Sequence, residues 1–338
     1  MASGAFRWGI LGTAGIASAF ARGVALGGSG RIEAVASRDL PRAEVWAEAH
    51  GVPRAFGSYQ ELLAARAVDA IYLPLPNSLH ADWTVAALEA GYPVLCEKPL
   101  CPTLGEARRV LAAARRTGLH VAEGFMYRHH PLHARLIELV RGGAVGRLTH
   151  VAARFTFRLD DGAATPASAV LGGGALLDVG CYAVHLARAV VGAEPSWAVA
   201  LARGELVDEV LAGVLEFPGG ALAMVEAGIA TAERHGAEIC GEEASLIVES
   251  PWFPGLERGR LLRRRFGAPD EEILTPGGDC YALEAEEFAA VCRGARPARW
   301  GLADALANLA ACEALARAAR EGRAIAVDQD PGRERSGS

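Results

Sequence analysis

The sequence predicts an α/β domain on a parallel sheet, followed by an α+β domain with an open, mostly antiparallel sheet. Three observations predict it. The length of 338 residues suits two domains of roughly 100–200 residues each. From residue 6 to about 125, short apolar runs alternate with helical patterns, the pattern of a parallel sheet covered by helices on both faces. After about residue 145, longer β-like stretches take over, interrupted by a single helical one.

Taken in order, "FRWGIL", "RIEAVAS", "AIYLPLP", "PVLCEKP" and "HVAEG" read as strands with helices between them. Ser58 with Glu61, and Thr103 with Glu106, have capping-box spacing, in which each side chain satisfies a backbone donor at a helix start. Gly91 and Gly118 stand where helices should stop. In the second half "LTHVAARFTFRL", "WAVALARGEL", "EVLAGVLEF" and "ALAMVEAGI" read as strands, with a helix over 175–191 and a final helix over 302–320. The division expected is 1–127, 128–327 and a flexible polar tail, 328–338.

Composition narrows the function classes. A net charge of −6 argues against a nucleic-acid partner, because such partners select basic faces, and the run Arg263 to Arg265 reads as a solvated patch. No apolar run approaches the roughly 18 residues of a membrane span, and "MASGAFRW" has no basic leader or apolar signal core; the expectation is a cytoplasmic protein with no membrane partner. Seven cysteines without a C-x-x-C pair match neither a disulfide framework nor a zinc signature; they read as buried thiols, and no metal is assigned.

The first strand runs into a small-residue turn and then a helix. A dinucleotide loop needs small residues where the chain turns, approaches the pyrophosphate and packs its helix on the strand. Gly12, Ala14 and Ala17 fill those places, with a methyl at the middle one and Gly15 beside it. Thr13 and Ile16 complete the turn, and the phosphate would rest on the helix N-terminus. About 20 residues further on, where an acid would bind a free ribose hydroxyl, stand Ser37 and Arg38, with Arg42 one helical turn later. These suit a 2′-phosphate. Asp39 reads either as the acid of an NAD site or, directly before "LPRAEVWAEA", as a helix N-cap, the reading favoured here. The cofactor expected is NADP(H), with NAD(H) as the alternative.

"LPLPNSLHADW" and "VLCEKPL" fall where strands end and loops begin. With "RWGILGTAGIA", "EGFMYRHHP" and "GGGALLDVGCYAVHLAR", they resemble the Gfo/Idh/MocA family of NAD(P)-dependent oxidoreductases. The resemblance runs from about residue 6 to 325. It is strongest to the branch of NADP-linked D-xylose dehydrogenases, dimeric dihydrodiol dehydrogenases and sugar ketoreductases.

That resemblance implies a Rossmann domain and a second domain whose open sheet often forms the oligomer interface, hence a homodimer or homotetramer. It implies hydride transfer to or from a CH–OH or C=O group of a sugar or cyclic polyol. Lys98 becomes the active-site lysine, a cation that steadies the substrate oxygen as alkoxide character develops. Where many relatives read D-x-G-x-H, this chain has Asp178-Val179-Gly180-Cys181-Tyr182, so Tyr182 becomes the acid/base, as in the dihydrodiol-dehydrogenase branch, and Asp178 its catalytic neighbour. Residues 178, 182 and 185 share a face of one helix, so His185 is a substrate-site candidate or else a satisfied polar contact, as Tyr182 is otherwise a core aromatic. Leu75, Pro76, Asn77 and His80 are placed along the cofactor, Glu97 near the nicotinamide ribose, and Arg128 near the nicotinamide or substrate. His129 and His130 read as packing. The active-site cleft is expected between the carboxyl ends of the parallel sheet and the 175–191 helix.

The alanine-rich stretch "DDGAATPASAVLGGG" departs from the more polar, arginine-bearing segment expected in the xylose-dehydrogenase branch, which puts the substrate in question more than the reaction. Two other readings remain open: an NAD-dependent glycoside hydrolase of the same fold, against which Arg38 and Arg42 count, and a non-catalytic cofactor sensor, against which Lys98, Asp178 and Tyr182 together count.

Overall fold

The computed structural model describes residues 4–159 and 167–333. Part of the alanine-rich stretch, 160–166, and the end of the expected tail, 334–338, lie outside the described residues. In the first part of the chain the strands are β1 (Phe6–Leu11), β2 (Gly30–Ala36), β3 (Arg54–Phe56), β4 (Ala70–Leu73), β5 (Val94–Glu97) and β6 (Val121–Gly124). The helices are α1 (Gly15–Gly27), α2 (Leu40–His50), α3 (Tyr59–Ala64), α4 (His80–Glu89) and α5 (Leu104–Thr117). There follow α6 (Pro131–Arg141), β7 (Leu148–Arg158), α7 (Cys181–Val191), β8 (Trp197–Arg203), β9 (Val210–Glu216), β10 (Leu222–Gly228) and β11 (Ala230–Gly241). The chain closes with β12 (Ser245–Val248), β13 (Arg258–Arg264), β14 (Glu271–Pro276), α8 (Cys280–Cys292), α9 (Leu302–Glu321) and β15 (Ile325–Ala326). No helix among the described residues is long and apolar enough to cross a membrane.

In the first compact unit β1 to β6 form one sheet in the order β3-β2-β1-β4-β5-β6, and every pairing is parallel. β4, β5 and β6 are buried at every residue, as strands covered on both faces must be. Strand order reverses between β1 and β4, and in such sheets ligands bind outside the carboxyl ends at that point. Four of the predicted helix ends act as their sequences predict. Asp39 accepts from the Arg42 backbone N–H at 3.0 Å, Ser58 accepts from Glu61 N at 3.2 Å, and Gly91 and Gly118 take left-handed backbone, φ +92° and +70°.

The division of the chain differs from the expected one. The first unit ends near the predicted boundary, at His129, but Asp279–Ala305 return to it. α8 supplies the reason: its Phe288 and Ala289 belong to the same buried cluster as Trp8, Phe20 and Val24, with Trp8 edge-on to Phe20 at 5.0 Å. At Gly23 a Cβ would come within 2.5 Å of the Tyr281 Cβ, so the glycine is what lets α1 and α8 approach.

The second unit carries a nine-stranded sheet, β14-β13-β12-β11-β7-β10-β9-β8-β15, antiparallel except for β7 with β10. α7 packs against β7 and β10. β8, β9 and β10 alternate buried and outward-facing residues, the pattern of a sheet with one face on the core. The expected 175–191 helix is two pieces. Leu176–Gly180 form a wide π-helical turn, and regular α-helix starts at Cys181.

Candidate active site

Gly12 to Ile16 form the β1–α1 turn. Gly12 has φ +115°, backbone that favours glycine, and a Cβ there would also press on the tip of the Leu75 side chain at 2.9 Å. Ala14 takes the N-cap of α1 with no side-chain cap, and its exposed methyl leaves the first backbone N–H groups uncovered. Above Gly15 no described atom lies within 4 Å of an added Cβ. An uncapped, open helix start with its dipole behind it is the arrangement that receives a phosphate, so these residues fit a dinucleotide.

Ser37 is the first residue beyond β2, buried, and its N–H donates to the Phe56 carbonyl at 3.1 Å. Arg38 follows, exposed. Arg42 reaches back to the turn, and its Nε donates to Thr13 Oγ1 at 2.8 Å. Burial pushes the Tyr59 hydroxyl up while Arg38 and Arg42, close by, oppose that shift. Arg38, just beyond β2, and Arg42, in the first turn of α2, thus lie on the same side of the strand end, and Arg42 is anchored beside the phosphate turn.

Leu75, Pro76 and Asn77 lie just beyond β4, where Asn77–Leu79 make a 3-10 turn into α4. His80 is held inward, fully buried, with Nδ1 2.8 Å from the Pro99 carbonyl and Nε2 2.7 Å from that of Leu75. Burial lowers its pKa, and Lys98 adds to the effect. A neutral ring carries one N–H and donates to one of the two carbonyls, so His80 is held at the strand ends by a single hydrogen bond.

Glu97 is the last residue of β5 and Lys98 the first beyond it. Glu97 Oε1 accepts from the Tyr72 hydroxyl at 2.6 Å and Oε2 from the Lys98 N–H at 3.2 Å; Lys98 is half-buried. Arg128, in the 3-10 turn Met126–His129, is also held inward. Its guanidinium donates to Asp304 at 3.0 Å and the Glu123 carbonyl at 2.6 Å and lies over Trp300 at 5.2 Å.

In the second unit Asp178 sits on the π-helical turn and Tyr182 and His185 on α7. Both of the latter are buried. The Tyr182 ring stands edge-on to Phe155 at 5.4 Å and to Trp252 at 5.6 Å, and Phe155 and Trp252 stack at 5.8 Å. The entry to this segment is clamped by Asp208: its carbonyl accepts from Ala175 N at 2.6 Å and its carboxylate from Leu176 N at 2.7 Å. Burial lifts the Asp208 carboxyl above its ordinary range. Nothing in the sequence flags Asp208, Phe155 or Trp252, which lie more than 20 residues from the motif they support.

Two family models match the chain, an oxidoreductase family with an NAD-binding Rossmann fold over residues 6–125 and the GFO/IDH/MocA C-terminal domain over residues 133–247. The chain is 36% identical to a D-xylose 1-dehydrogenase (NADP(+)) of Haloferax volcanii over 95% of this chain and 99% of the relative. It is 34% identical to a trans-1,2-dihydrobenzene-1,2-diol dehydrogenase of Xenopus laevis, over 74% and 77%. Among solved structures, a 3-ketoreductase from Actinomadura kijaniata in complex with NADP and TDP-benzene superposes with a TM-score of 0.87 at 31% identity, covering 93% of this chain and 98% of that one. The phosphate turn, the Glu97-Lys98 strand end and the second-domain sheet thus sit in a chain that belongs to the Gfo/Idh/MocA family of oxidoreductases.

Proposed function

We propose that this protein transfers a hydride between NADP(H) and a CH–OH or C=O group of a sugar or cyclic polyol. The observation that carries the cofactor half is the Arg42–Thr13 bond, which stations a cation beside the phosphate turn with Arg38 nearby, while the acid at this position, Asp39, caps α2. The substrate class is supported by the relatives, which act on xylose, a dihydrodiol or a deoxysugar nucleotide.

The nicotinamide ring supplies the hydride acceptor or donor. The chain's own residues handle binding and the proton. Gly12 to Ile16 receive the pyrophosphate, and Ser37, Arg38 and Arg42 the 2′-phosphate. Leu75, Pro76, Asn77 and Glu97 line the crevice along the cofactor, while His80 and Arg128 hold the surrounding backbone in place. Lys98 steadies the substrate oxygen as negative charge develops on it. Tyr182 takes the hydroxyl proton in oxidation and returns it in reduction. Asp178 orients the substrate, and His185 is a further candidate for contact with it.

The protein works as a homo-oligomer in this reading, a dimer or tetramer built on the second unit's sheet. Val199, Leu201 and Met224, exposed by 46, 67 and 45%, lie on neighbouring strands through the pairs Val199–Val214 and Met224–Val214. They belong to a cavity of about 720 Å³ lined by β7, β8, β9 and β10. A contiguous exposed apolar patch marks an interaction site, and a second copy carries the same patch. A cytoplasmic location fits the seven cysteines, all thiols, since disulfides persist in oxidising compartments.

A panel of sugars and cyclic diols, followed by nicotinamide absorbance with NADP and with NAD, tests the reading. Turnover of at least one alcohol or ketone, faster at low cofactor concentration with NADP, is expected. Glycoside cleavage without net absorbance change would replace it with the hydrolase reading.

A further inference from the structure

Glu284, on α8, is 1% exposed, and neither of its carboxylate oxygens has a hydrogen-bond partner among the described residues. An ionised carboxylate in such surroundings is costly, and the group keeps its proton instead. It has an outlet. Glu284 Oε1 lies 3.8 Å from His129 Nε2, and His129 Nδ1 lies 3.4 Å from Glu287 Oε2, whose side chain reaches the surface at 20% exposure. Beside them a cavity of about 20 Å³ is lined by Glu284, His129, His120, Arg128, Arg299 and Trp300, room for a single water molecule.

The charged and titratable groups around Glu284 come from several elements. Burial drives its carboxyl well above the usual range; Glu97, at the end of β5, pushes it further, Arg128 opposes, and Glu287, on α8 itself, adds to the rise. His129 is kept neutral chiefly by burial, and its ring holds the Glu287 carboxyl below the ordinary value. The negative charge that most strongly keeps Glu284 protonated is therefore Glu97, and Glu97 stands at the carboxyl end of β5, next to β4 and one strand removed from β1, on the edge where a dinucleotide binds.

We propose that Glu284 holds a proton in the free protein and releases it, through His129 and Glu287, when the positively charged oxidised nicotinamide arrives at the Glu97 strand end. The step balances. The Glu284 O–H proton passes to a water in the cavity beside it as the water passes one of its own to His129 Nε2, and the Nδ1–H proton passes to the Glu287 carboxylate and on to solvent, leaving Glu284 ionised and the water and His129 neutral. The reduced nicotinamide is uncharged and gives no such release, so Glu284 makes cofactor binding sense the redox state. This rests on the NADP(H) reading above.

Infrared difference spectroscopy near neutral pH, with Glu284→Gln as the assignment control, reads the proton directly. The free protein is expected to show a protonated-carboxyl C=O band that Glu284→Gln lacks. Saturating NADP⁺ removes the band while NADPH leaves it. Calorimetry in buffers of different ionisation enthalpy should find about one proton more released per site with NADP⁺ than with NADPH, and the difference should vanish in Glu284→Gln. As a second variant, Glu97→Gln should move the titration of the Glu284 band to lower pH, because the repulsion is gone. Identical spectra for the free protein and Glu284→Gln would overturn the proposal, as would a band that survives saturating NADP⁺. If calorimetry finds that neither cofactor binds, the NADP(H) reading itself fails, an outcome distinguished from the others by the absence of any binding heat.

Discussion

Tyr182 and Lys98 carry the most exposed part of the functional reading. Removing the phenolic hydroxyl while keeping the ring preserves its contacts with Phe155 and Trp252, so Tyr182→Phe should fold and bind cofactor normally. Its turnover should fall by about 10²–10⁴-fold, the range for a lost general acid/base. Lys98→Ala should be at least as damaging, because the charge that steadies the substrate oxygen disappears, and Asp178→Asn should chiefly raise KM. Steady-state kinetics check all three. Near-full turnover in Tyr182→Phe with none in His185→Ala would move the proton role to the histidine. Cofactor choice rests on the two guanidinium groups. In Arg38→Ala with Arg42→Ala, the NADPH preference over NADH should fall at least about tenfold, since each charge-assisted bond is worth about 1.5–3 kcal/mol. Equal affinities in the unmutated protein would sink that assignment.

The packing of α1 on α8 makes an element-level prediction. The Gly23 Cβ position is 2.5 Å from Tyr281 Cβ and 2.8 Å from Ala282 N, and backbone cannot swing aside as a flexible side chain would. Gly23→Ala should therefore destabilise by about 1–3 kcal/mol, the usual cost of overpacking, even though alanine is the better helix former. A lowered thermal midpoint in Gly23→Ala, beside an unchanged one in Gly28→Asn at the left-handed C-cap of α1, would separate the packing effect from a generic glycine effect. The π-helical turn at Leu176–Gly180 is a second element-level feature: it changes the angle between Asp178 and Tyr182 from that of a straight α-helix, and such turns recur at functional sites.

For the whole molecule, the open sheet sets the assembly. Met224→Glu places a charge on the exposed side of β10, opposite Val214 of β9 and Ala152 of β7, where it costs the folded monomer little and a buried interface several kcal/mol per unpaired charge. Light scattering should find an oligomer before the substitution and a monomer after it, with the circular dichroism of the two alike. A monomer at micromolar concentration in the unmutated protein would end the assembly reading.

Most strands and caps could be read before any coordinates were known, because their signals are local. The run "AIYL" is apolar at every residue and "VLCE" at all but its last, Asp39 and Ser58 precede their helices at cap spacing, and Gly12 is followed by the small residues a phosphate turn requires. β3, three residues long with two apolar positions, gave too short a run to stand out, β12 is only four residues long, and β11, β13 and β14 mix charged and apolar residues without a clear period. What could not be read from local pattern depends on contacts between distant residues. The return of Asp279–Ala305 to the first unit is set by Phe288 meeting Trp8, and the Arg42–Thr13 bond joins residues 29 apart. The Asp208 clamp on Leu176 spans 32, and the burial of Glu284 follows from where α8 lands. Side-chain periodicity reports which face of an element is apolar; which other element covers that face, and which polar group is trapped beneath it, is settled when the chain packs.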